Sequence, residues 1–227
     1  MMNENNVRLS IWNLILVPAV LSLAVTLLRL YGELHHWHTP WFNSSAGGGG
    51  AIVGISWLPF VFGPYFAVKL ARSGSRPSGH VKTILLALLG FAMMMGGVFA
   101  AFSPPFSITR SCVGLLALVL GTALQFYPWP ALARTLLAYA YSARIPVALV
   151  MFFAIQGKWG THYDVLPAGY PGPTSFWGEY IFVGLIPQLL LWIGFTVTVG
   201  AFAGGIAAAA VLRRSPSVAP ANLKMQN

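Results

Sequence analysis

Imidazoles and carboxylates are the side chains best suited to hold a transition metal or relay a proton, and this chain has few of either. There are 5 His and 4 Asp plus Glu in 227 residues. They are bunched: Glu33, His35, His36 and His38 fall in GELHHWH, His162 and Asp164 in WGTHYD, and Glu179 near the start of the last apolar run. Zinc, copper and non-haem iron take such ligands, and a catalytic metal needs three of them with one position left open. The residues Glu33, His35, His36, His38, His162, Asp164 and Glu179 therefore form a candidate polar site, and His36, His38, His162 and Asp164 a candidate metal set. Their spacing is not diagnostic. On a helix His35 and His38 share a face, in an extended segment His36 and His38 do, and neither arrangement is HExxH. A plainer reading competes: Trp37, Trp41, His35 and His38 form an interfacial belt, Glu33 pairs with Arg29 one helical turn away, and Asp164 serves a loop turn.

Arg144 is the other residue that chemistry must explain, standing alone in AYAYSARIPVALV. A guanidinium at the centre of a membrane helix costs about 2.5 to 3.5 kcal/mol on insertion scales, so such a residue marks a functional site or a buried pair. Pro146 frees a backbone carbonyl one turn earlier, and Tyr139 and Tyr141 are close in sequence. Arg144 and Tyr141 form a candidate intramembrane polar site. If the helix begins later, Arg144 instead snorkels to the interface.

The elements that must carry these residues follow from composition. The chain is 57% hydrophobic and 7% charged, with 24 Gly and 16 Pro, whereas soluble domains are about a quarter charged. This excludes a water-soluble globule and a disordered chain, and the single cysteine, Cys112, excludes a disulfide scaffold. An all-α polytopic transmembrane helical bundle remains, in one integral membrane domain over 1–227. A crossing needs about 20 apolar residues, and six spans are predicted: 9–31, 51–71, 83–102, 111–127, 131–156 and 176–212. The fourth and fifth are parted by Tyr127-Pro128-Trp129-Pro130, whose aromatics suit the interface. The first has a longer apolar core than a signal peptide and no A-x-A-like exit, and so reads as a retained anchor. The last is too long for one straight crossing, so its first part is expected to protrude, with a bend near Pro187.

Orientation follows from the basic residues, which stay on the cytoplasmic side. With the N-terminus inside, Arg8, Lys69, Arg72, Arg76, Lys82, Arg134, Arg213, Arg214 and Lys224 are cytoplasmic, while Arg29, Arg110 and Lys158 lie outside. Six crossings return the C-terminus to the cytoplasm, where 213–227 forms a flexible tail. The net charge of +9 is thus mostly topology; the basic 69–82 loop meets anionic headgroups, and no nucleic acid is implied.

Polar residues within spans, such as Gln125, Gln188 and Thr198, read as helix glue, and Gly50-x-x-x-Gly54 and Gly200-x-x-x-Gly204 as close-packing motifs. No vicinal thiols, GxSxG or HExxH are present, and no cofactor is specified. Three readings follow: a non-catalytic subunit or scaffold packed against the lipid bilayer and other membrane subunits, a transporter or small-ligand receptor using Arg144, and a membrane enzyme with the outer His and carboxylate site. The expected location is a bacterial inner membrane.

Overall fold

The computed structural model describes residues 10–105, 107–170 and 172–213, so the tail from residue 214 lies outside the described residues. Every regular element among them is helical: α1 (Ile11–Leu34), α2 (Pro59–Arg72), α3 (His80–Phe102), α4 (Ile108–Ala123), α5 (Pro130–Gly157), α6 (Phe176–Glu179) and α7 (Trp192–Arg213). A turn of 3₁₀ helix, Leu124–Phe126, extends α4, and two π-helical stretches, Tyr180–Leu185 and Pro187–Leu191, join α6 to α7. Among the described residues, five helices are long and apolar enough to cross a membrane.

The second predicted span needs correction. Residues 51–58 are irregular and the helix starts only at Pro59. Proline fits the first helical position, where its missing N–H is not needed. The 14 residues of α2 rise about 21 Å, short of a bilayer core of about 30 Å. At the other extreme, 176–212 is one helical run of 37 residues, about 55 Å at the ordinary α-helical rise.

Small residues set the packing. A Cβ on Gly97 would lie 2.4 Å from the Gly114 carbonyl oxygen, and one on Gly90 equally close to that of Gly121, so α3 and α4 lie antiparallel with backbones almost touching. The same holds for α2 and α7, which run parallel: a Cβ on Gly63 would meet Gly200, and one on Gly204 would meet Gly63. Gly200 and Gly204 thus pack helices as their spacing predicts. Gly50 and Gly54 do not, because both sit in irregular chain, Gly50 with φ +74°.

Two hydrogen-bonded clusters mark the ends of the bundle. Ser78 N–H donates to Pro128 O (2.9 Å) and Trp129 Nε1–H to Ser75 Oγ (3.3 Å), joining the 73–79 connection to the start of α5. Past the far end of that 28-residue helix, His162 meets Glu33 near the end of α1. α2, with the irregular chain before it, therefore leads from the Glu33 end to the Ser78 end. Trp129 is buried and is not the interfacial anchor its sequence context suggests, whereas Tyr127 is exposed with Lys82 Nζ 3.9 Å above its ring. Phe66, Leu136, Tyr139 and Val197 lie at the centre, while Trp12, Phe99 and Ile108 face outward, an exterior suited to acyl chains rather than water.

Candidate functional site

Glu33 sits in the last turns of α1, buried, with its carboxylate receiving three N–H donors. Arg29 Nε donates at 2.8 Å, the His162 backbone N–H at 2.9 Å, and His162 Nδ1 lies 2.7 Å away. Arg29 in turn donates to the carbonyls of Gly48 (3.1 Å) and Asn43 (3.3 Å). The turn that presents His162 is shaped by Asp164, whose carboxylate accepts from Gly160 N–H (2.8 Å), Thr161 N–H (2.8 Å) and the Thr161 hydroxyl (2.7 Å). Next to it Tyr163 Oη donates to Thr26 O at 3.3 Å. A buried charge is tolerated when paired and hydrogen-bonded, and here that pairing fastens α1, the 43–48 loop and the 160–164 turn into one knot. Burial pushes the His162 imidazole below its ordinary pKa against the pull of Glu33, and pushes the Tyr163 phenol up.

Arg144 lies halfway along α5 and is 5% exposed, not at an interface. Its neighbours come from the π-helical stretch and the start of α7. One Nη donates to Gln188 Oε1 at a long 3.4 Å, the guanidinium stacks 4.5 Å from the Trp192 ring, and Nε has no partner. No carboxylate lies within ion-pair distance of Arg144 among the described residues. Gln188 and Trp192 are four residues apart and so share a helix face. Pro187 has no N–H to give its helix, and the widened turns around it are the kind of π-helical irregularity often found at functional sites. Arg144 forms part of the wall of a cavity of about 1050 Å³, which runs from Gly47 to Gly50 and Tyr170 at the loop end, past Arg29, His162 and Tyr163, to Gln188 and Trp192. Ligand sites are mostly apolar hollows of about 300 to 1,000 Å³ with a few convergent polar groups.

The sequence candidates part company here. Glu33 and His162 meet, Asp164 supports His162 from behind, and His35, His36 and His38 stay exposed, His35 with Nδ1 2.9 Å from Tyr31 O. Glu179 occupies the first turn of α6 and forms no ion pair among the described residues. No three His, Cys, Asp or Glu groups there converge as metal ligands, so the structure does not gather His36, His38, His162 and Asp164. Tyr141 is 39% exposed, and it is Tyr139 that is buried, with Oη 2.8 Å from Ser22 Oγ. Gln188, Trp192 and Tyr163 are the wall residues that sequence reasoning did not assign to a site; Gln188 was the visible signal, a lone amide in an apolar run. The chain matches no protein-family profile, no curated protein and no solved structure.

Proposed function

We propose that this is a six-pass membrane protein, with α2 and its irregular lead-in as the sixth crossing and both termini cytoplasmic, that binds an anionic small molecule and serves as its transporter or receptor. The scaffold reading is less well supported, because a scaffold has no use for a large hollow in its centre. The enzyme reading loses ground too, since the donors around Glu33 occupy it as a structural link. A bacterial inner membrane suits the apolar exterior and the basic 69–82 loop.

One observation carries the proposal: Arg144 is a buried guanidinium on a cavity wall with an unpartnered Nε and no carboxylate counterion among the described residues. Removing one partner of a buried charge pair is strongly destabilising, so a lone buried cation facing a hollow is stabilised by an incoming acid. A guanidinium is permanently charged and its planar N–H groups suit a carboxylate or phosphate oxygen. Arg29 is committed to Glu33 and does not compete.

Thermal unfolding of the purified protein with hexanoate or hexyl phosphate, against hexanol, tests this. A ligand at 100 times its Kd stabilises by about 2.7 kcal/mol. The acids are expected to raise Tm and hexanol not to; Arg144→Gln abolishes the rise and Arg144→Lys keeps part of it. Equal acid stabilisation of Arg144→Gln would sink the proposal.

A further inference from the structure

A second hollow, of about 380 Å³, opens on the side of the bundle between Trp57, Phe60, Met95 and Phe195. Ser56, Val98, Leu191 and Trp192 line both hollows and so form the wall they share; the Trp192 ring lies 4.5 Å from the Arg144 guanidinium and meets Phe195 edge-on (5.4 Å between centroids). The last residues of the irregular 51–58 segment and the start of α2, Ser56, Trp57 and Phe60, form one wall of this hollow, and Met94, Met95 and Val98 of α3 contribute another. Trp57, Phe60 and Met95 are about half exposed there, on a face that meets acyl chains rather than water.

We infer that the ligand anchored at Arg144 is an amphiphile, one long hydrocarbon chain ending in an acid group, whose chain leaves the cavity sideways past Trp192 into this groove. The inference rests on the anion reading of Arg144 and adds the lipid nature of the ligand. A water-soluble anion would be served by the loop-end mouth alone and would have no use for an apolar annex beyond the arginine. For an amphiphile, each part of the site has a partner: the acid faces the Arg144 guanidinium on the cavity wall, and the chain faces Trp57, Phe60 and Phe195 in the side hollow. Trp192 stands at the junction. Its ring lies over the guanidinium and also lines the side hollow, so one side chain touches both the acid site and the path of the chain.

Hexadecanoate carrying a diazirine near the middle of its chain, photolysed with the protein in phosphatidylcholine nanodiscs, reports where the chain leaves the cavity. Adducts mapped by peptide mass spectrometry are expected to concentrate at 56–60, 94–98 and 191–195, to fall at least fivefold in Arg144→Gln, and to be competed by hexadecanoate but not by hexadecanol. Met95→Trp fills the side hollow at a residue that does not line the Arg144 cavity, and is expected to lose these adducts while still binding hexanoate. Adducts spread over the exposed faces of α1 and α4, unchanged in Arg144→Gln, overturn the amphiphile. If hexanoate still stabilises the parent in that event, the anion reading survives with a soluble ligand; if it does not, both fall.

Discussion

His162 is a titratable group placed inside a structural knot, so the knot should respond to acid. Burial holds its pKa below the ordinary value; the folded protein therefore binds fewer protons than the unfolded chain as pH falls through about 6.5, and stability declines below that pH. The expected outcome is a Tm that is flat from pH 8 to 7 and falls from pH 6.5 downward, with a smaller fall in His162→Gln. A Tm that rose on acidification would contradict the burial argument. Arg144 was legible in the sequence because a charge in an apolar run must have a reason. The Glu33 to His162 contact was not, since 129 residues separate its partners and local density drew attention to His35, His36 and His38 instead. Leu132, Leu136, Tyr139, Ala143, Val147, Met151 and Ala154 are buried along α5 at helical spacing, and Tyr141 lies off that stripe, a distinction of face that sequence proximity to Arg144 does not show.

Helix pairs here depend on glycine where backbones meet. In α3 the adjacent Gly96 and Gly97 form a natural control, because a Cβ on Gly97 meets the Gly114 carbonyl while one on Gly96 meets nothing within 4 Å. Gly97→Val is expected to lower stability by about 1 to 3 kcal/mol through overpacking. Gly96→Ala is expected to be neutral or to stabilise by up to about 1 kcal/mol through helix propensity. Thermal unfolding of both variants decides; equal effects would mean that backbone approach does not govern the pair. Hydropathy located most helices within a few residues, as for α3, predicted from 83 and observed from His80. It failed at 51–58, where an apolar run stays irregular: Gly54 packs against Arg29, a constraint that does not register as polarity. The π-helical turns were equally invisible, apart from Pro187 and a final run too long for one crossing.

Taken whole, the molecule has a loop end built around Glu33 and an opposite end built around Ser78 and Trp129, and the proposed six-pass topology would put them on different sides of the membrane. With Cys112→Ser as background, Ser45→Cys is expected to react with an impermeant maleimide in intact cells and Ser78→Cys only after permeabilisation. Reaction of both from one side would mean that α2 does not complete a crossing. The distance along the chain between Glu33 and His162 also sets a schedule for biogenesis. Arg29 lies one helical turn from Glu33, so that ion pair forms as soon as α1 is made and Glu33 enters the membrane already neutralised in part. His162 follows only after four further helices have left the ribosome. Until then the loop end stays open, and closing it is a late event in assembly, completed once α5 has crossed.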